Sequence, residues 1–246
     1  MLSEIAVCDL QAALDETADE ILQLAECDQP PVDAFALASA LGIDVAWDHQ
    51  QAGRARCVRL KGDERASNRP SILVRPDDRP ERIHWAVAHE IGEFAARGVF
   101  ERLAVDARES PVDARESTAN QLASRLLLPG RWFGVDAPAC DWELLALKRT
   151  YSTASHELIG RRMLDFVPPV IVTIYDHGRA TFRRSNVLGR VAPPLPLETA
   201  CWQRAHCAGR PQQRSGGRLR VRAWPVHETG WKREILRTEL TEFETD

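Results

Sequence analysis

The sequence predicts an α+β fold, with a mainly helical core and a small mixed sheet over residues 1–165 and a β-rich, arginine-rich region over residues 166–246. Three observations carry this reading. Apolar residues recur at helical spacing in LQAALDETADEILQLAE, PERIHWAVAHEIGEFAA and RESTANQLASRLLLP. Short runs of β character lie ahead of the second of these segments. After Phe166-Val167-Pro168-Pro169 the pattern turns from helical periodicity to that of a hairpin.

Taken in order, a first amphipathic helix is expected over Cys8–Glu26 and a second over Asp33–Leu41, preceded by Pro30-Pro31 and ended by Gly42. Ile43–Trp47, Ala55–Leu60 and Ser71–Val74 read as short strands. A helix follows from Pro80 to about Arg97, with Ile83, Val87, Ile91 and Phe94 or Ala95 on its apolar face. Pro80 suits its first turn, and Glu81 suits the positive end of its dipole. Another helix is expected over residues 116–128, and two more over Asp141–Arg149 and Thr153–Leu164. Beyond residue 166, Val170–Tyr175 and Arg179–Arg184 form a hairpin around Asp176-His177-Gly178. Pro193, Pro194 and Pro196 mark a loop, Gln212–Gly217 a second, and Leu219–Trp224 and Trp231–Leu240 read as strands.

With 246 residues, 44% of them hydrophobic, the chain can bury a core and carry an appended region. No stretch approaches the roughly eighteen apolar residues that span a bilayer, and Met1-Leu2-Ser3-Glu4 lacks the basic start of a signal peptide. Six cysteines without framework spacing fit reduced thiols. A cytoplasmic location is the expectation.

The chemistry concentrates at His89-Glu90-Ile91-Gly92-Glu93. In the zinc-protease motif HExxH, two histidines one helical turn apart reach one metal and the intervening glutamate acts on the bound water. Here Glu93 stands at the second histidine's place, on the same helical face as His89. Gly92 costs the helix about 1 kcal/mol relative to alanine, which points to a close neighbour at that backbone. A metal needs a third protein ligand. Glu116, at the start of the downstream helix, is the candidate. The tandem segments VDARES at residues 105–110 and 112–117 put Glu109 and Glu116 in equivalent places. Pro111 disfavours one helix through both copies, so the first reads as a connection and Glu116 is preferred.

AHEIGE on one helix followed by ExxANQLASRLLLP on the next resembles the ImmA/IrrE family of metallo-endopeptidases, bacterial and phage proteins with a zincin-like core. The segments Pro30–Ala38 and Tyr151–Arg162 are similar to that family's opening and later helices, so the resemblance spans roughly residues 30–165. It implies that His89, Glu93 and Glu116 are metal ligands and that Glu90 is the general base. It also implies a protein substrate, often a helix-turn-helix repressor, cut at limited sites in a stress response.

The departure at Glu93 has chemical consequences. A His/Glu/Glu set offsets more of a divalent cation's charge and leaves bound water less acidic than a histidine-rich set would. Zn2+ remains acceptable, while the harder oxygen ligands shift preference towards Mn2+ or Fe2+. The competing reading is a weak or inactive metalloprotease-like sensor or protein-binding module.

Other candidates weigh less. In His156-Glu157-Leu158-Ile159-Gly160 a glycine stands where a ligand is required, so a surface pair is expected. His84 is off the His89 face. Cys201, His206 and Cys207 match no common zinc spacing. No Lys or Arg precedes Arg54, whereas arginines crowd the far end. The absence of a recognisable reading helix or finger, and the internal acidic counter-charge, speak against direct nucleic-acid binding.

Overall fold

The computed structural model describes residues 5–59, 69–108, 110–187 and 189–240. Glu109 and the expected strand end at Leu60 therefore lie outside the described residues. The chain forms two compact units, residues 1–139 with 149–155 and residues 140–148 with 156–246.

In the first unit, α1 (Val7–Leu24) buries Ala13, Leu14, Thr17, Ala18, Ile21 and Leu22, a stripe at helical spacing. The next helix, α2 (Ala34–Ala40), starts at Asp33, whose side chain accepts from the Phe35 N–H. It ends before Gly42, which takes the left-handed φ of 69°. The strands β1 (Asp44–Trp47), β2 (Ala55–Arg59) and β3 (Pro70–Val74) form a sheet in the order β1-β3-β2. It is mixed, with β1 parallel and β2 antiparallel to β3. Ile72 and Val74 of the central strand are fully buried.

The motif helix α3 (Pro80–Arg102) continues past Arg97, adding Val99 and Phe100 to the core. Val87 and Ile91 are buried as expected, but Phe94 is 45% exposed. Val112, next to Pro111, opens α4 (Val112–Leu127), so this helix starts one turn before Glu116. Leu122, Leu126 and Leu127 are fully buried. Such side chains contribute about 1.5–3 kcal/mol each. A further helix, α5 (Gly130–Ala139), was not expected.

The acids of α1 find counter-charges inside their own unit. Asp15 pairs with buried Arg125 at 3.1 Å, Asp19 with Arg131 at 3.5 Å, and Glu16 and Glu20 with Arg102.

Helix α6 (Leu144–Thr150) leads towards α7 (His156–Arg162). The second unit is built on an antiparallel sheet ordered β5-β4-β8-β7-β6. Its hairpin, β4 (Val170–Asp176) and β5 (Arg179–Ser185), turns at His177-Gly178, both with positive φ. Then come α8 (Pro196–Ala208), β6 (Gln212–Gly216), β7 (Leu219–Glu228) and β8 (Trp231–Leu240). Helix α8 packs on β6, β7 and β8. Its Cys201 and Ala205 join Tyr175, Val221, Ala223 and Leu236 in a core.

Two sequence expectations fail in this unit. Pro196 opens a helix, because proline's fixed φ suits a first helical position. The expected loop at 212–217 is largely strand β6, a polar edge held by its ladder to β7. The arginines of this region meet nearby acids. Arg220, Arg222 and Arg237 surround Glu239, Arg183 holds Glu198, and Arg233 bridges Asp176 and Glu157. Among the described residues no helix is long and apolar enough to cross a membrane, and none of the cysteines is in a disulfide.

Candidate metal centre

His89 and Glu93 lie one turn apart on α3, and Glu116 faces them from α4. The Nε2 atom of His89 is 3.7 Å from Glu93 Oε1 and 3.7 Å from Glu116 Oε1. One donor atom from each residue lies within 4.8 Å of the others. What brings the helices this close is Gly92, where an added Cβ would fall 2.4 Å from the carbonyl oxygen of Ala119.

Asn120 orders the group. Its Nδ2 donates to Glu116 Oε1 at 3.0 Å, which turns its Oδ1 towards His89 Nδ1 at 3.1 Å. That ring nitrogen is consequently the protonated donor, and Nε2 keeps its lone pair. In the neutral imidazole the Nε2 lone pair thus faces two carboxylate oxygens.

This donor chemistry fits a divalent cation. Separations of 3.7 Å are too long for hydrogen bonds but suit two ligands on one ion, given metal–ligand bonds of about 2.0–2.2 Å. The ligand side is accessible: the Glu93 and Glu116 side chains are about half exposed.

Glu90 is placed differently. Its residue is buried, and its carboxylate accepts from the backbone N–H of Cys57 on β2. Burial pushes its pKa above the ordinary range, and the Glu93 carboxylate adds to the rise, while His89 and the Cys57 N–H oppose it. The small sheet thereby fixes the acid–base candidate, while two helices present the ligand candidates.

The remaining candidates take other roles. His84 Nδ1 accepts from the Ala34 N–H at 3.3 Å and meets Phe35 edge-on, so it secures the start of α2. Glu157 pairs with Arg161 and Arg233 in the second unit. Cys201 is buried with its thiol directed at the carbonyls of Gln212 and Val221, whereas Cys207 is exposed. Sequence reasoning missed Asn120 and Cys57. Asn120 had a signal, an amide one turn from Glu116, but Cys57 acts through its backbone and had none.

The fold and this convergent acid–imidazole group define a metallopeptidase-like α+β protein. Residues 38–158 match the M78 peptidase family, described as the IrrE N-terminal-like domain, and the chain therefore carries a domain of that family. Over 93% of its length, the chain is also similar in structure to 75% of a Mycobacterium tuberculosis transcriptional regulator, with a TM-score of 0.69 at 18% identity. That likeness concerns the fold. No curated protein matches the chain.

Proposed function

We propose that the protein is a metal-dependent endopeptidase that makes limited cuts in a regulatory protein such as a DNA-binding repressor, with the peptidase domain over residues 1–165. The observation that carries this reading is the convergence of His89, Glu93 and Glu116 beside a buried glutamate, Glu90, on one helix pair. When bound, a divalent ion, Zn2+ first and Mn2+ or Fe2+ as alternatives, supplies Lewis acidity to a peptide carbonyl and acidifies water.

The chain's own residues supply the rest. Asn120 holds the His89 tautomer with its Nε2 free and fixes the Glu116 carboxylate. Glu90 accepts a proton from the attacking water and returns it to the leaving amine. Its raised pKa makes it a better proton acceptor than a solvated glutamate, and the Cys57 N–H fixes its orientation. The mixed sheet bordering α3 offers an exposed edge for an extended substrate segment by strand addition.

Glu93 in place of a histidine supports a second reading, a metalloprotease-like module that binds a partner without cutting it. Purified wild type and Glu90→Gln, each loaded with Zn2+, separate the two when incubated with a helix-turn-helix repressor from the same genome. Cleavage by wild type alone supports the peptidase. Equal behaviour of the two, with binding retained, supports the module and ends the peptidase reading.

A further inference from the structure

Three side chains of the second unit, two from α8 and one from β7, meet around one carboxylate on β8. His206 of α8 places Nδ1 2.8 Å from Glu234 Oε1, and His227 of β7 places Nε2 2.5 Å from the same oxygen. The other oxygen, Oε2, accepts from Trp202 Nε1 at 3.0 Å. Glu234, on β8, is fully buried, whereas the two imidazoles are 30% and 22% exposed. The group is therefore open to solvent on its histidine side.

The other buried acids of this unit set the contrast. Glu198 is clamped by Arg183, and Glu239 is surrounded by Arg220, Arg222 and Arg237, so their charges are matched by guanidinium groups. The hydrogen-bond donors on Glu234 are two imidazoles and an indole, of which none carries a fixed charge. Lys232, opposite His227 across the ladder, is exposed and solvated. The buried carboxylate thus has no permanent cation among its hydrogen-bond partners, and a bound cation would offset its negative charge.

We propose that His206, His227 and Glu234 form a second divalent-metal site, selective for Zn2+ and ions of similar preference and built from residues entirely different from His89, Glu93 and Glu116. Two imidazole nitrogens and one carboxylate oxygen are the borderline donor set that zinc prefers, with further positions open to water. These donor atoms already lie within 4.8 Å of one another. On binding, each imidazole offers the nitrogen that now faces Glu234. Its proton passes to the other ring nitrogen if the ring is neutral, or to solvent if it is charged. The two short contacts open to ligand separations, and Trp202 keeps the carboxylate oriented from behind.

The full-length protein carrying His89→Ala and Glu116→Ala isolates this group from the first. Titrated with Zn2+ against a chromophoric chelator, it is expected to retain one equivalent. Adding His206→Gln and His227→Gln, which keep an N–H donor for Glu234, removes that equivalent. Trp202→Phe weakens the binding by about 10- to 100-fold, as loss of an orienting partner does. A second measurement needs no change in the cluster: in the same His89→Ala/Glu116→Ala protein, Zn2+ shifts the ring-nitrogen resonances of His206 and His227. Failure to retain Zn2+, retention indifferent to the glutamine pair, or unmoved ring resonances at saturating Zn2+ would each overturn the site. Glu234 would then be a hydrogen-bonded anchor between α8 and the sheet. A separate His206→Gln/His227→Gln protein with His89 and Glu116 intact that still holds Zn2+ leaves the peptidase reading untouched, so the two ideas fail separately.

Discussion

Gly92 on α3 and Ala119 on α4 meet backbone to backbone: a Cβ at position 92 would lie 2.4 Å from the Ala119 carbonyl oxygen. Real atoms do not approach so closely, and a helical carbonyl cannot turn aside as a side chain can. Glycine therefore sets the distance between the helix bearing His89 and Glu93 and the helix bearing Glu116.

Gly92→Ala tests this spacing. Alanine improves helix propensity by about 1 kcal/mol, but overpacking of a tight core costs about 1–3 kcal/mol, so net destabilisation is expected. Separation of the helices also draws Glu116 away from His89, and metal affinity falls. Urea unfolding and Zn2+ titration of the same variant read the two effects. A variant as stable as wild type with unchanged affinity would show that the helices are not set by this contact.

Asn120→Ala leaves helix α4 a good helix former but removes the link between Glu116 Oε1 and His89 Nδ1. With the imidazole free to take either tautomer, Zn2+ affinity at this site is expected to fall about 10- to 100-fold with little change in stability. Chelator competition in a His206→Gln/His227→Gln background isolates the effect. Undiminished affinity would reduce Asn120 to a surface amide.

Glu93→His replaces a half-exposed carboxylate by an imidazole and removes one negative charge from the donor set. The variant should discriminate more strongly for Zn2+ over Mn2+, because nitrogen ligands favour zinc and oxygen ligands suit manganese. Competition between the two ions, followed by metal analysis of the recovered protein, gives the ratio. An unchanged ratio would mean that residue 93 does not touch the metal.

How much of this was legible in the sequence depends on where each signal resides. The α3 and α4 pair could be read because apolar periodicity, Pro80 and Pro111 all act locally. Even the close approach at Gly92 left a trace, since glycine is otherwise unfavourable in mid-helix. Helix α8 escaped because the prolines before it read as loop and its buried face consists of Glu198, Cys201 and Ala205 rather than large apolar residues. Strand β6, QQRSG, has almost no intrinsic β preference and exists through its pairing with β7. The contact of Cys57 with Glu90 and the meeting of His206, His227 and Glu234 join distant segments, and composition or spacing carries no record of them.

Acid should unfold the second unit through Glu198. This carboxylate is fully buried, yet bidentate contacts with Arg183 at 3.0 Å, the Leu195 N–H and the Thr238 hydroxyl outweigh burial and hold its pKa below the ordinary glutamate value. A group whose pKa is depressed by folding stabilises the native state above its unfolded value, about 4.3, and loses that contribution as pH falls towards and through its folded value. Stability should therefore be flat at neutral pH and decline below about pH 4.3. Glu198→Gln leaves Arg183 without its counter-charge, which costs about 3–5 kcal/mol near neutrality, and it flattens the acid limb. Urea unfolding followed by tryptophan fluorescence across this range measures both, since Trp202 stacks on Tyr175 with ring centroids 4.6 Å apart in the same core. Parallel pH curves for wild type and Glu198→Gln would place the acid sensitivity on another group.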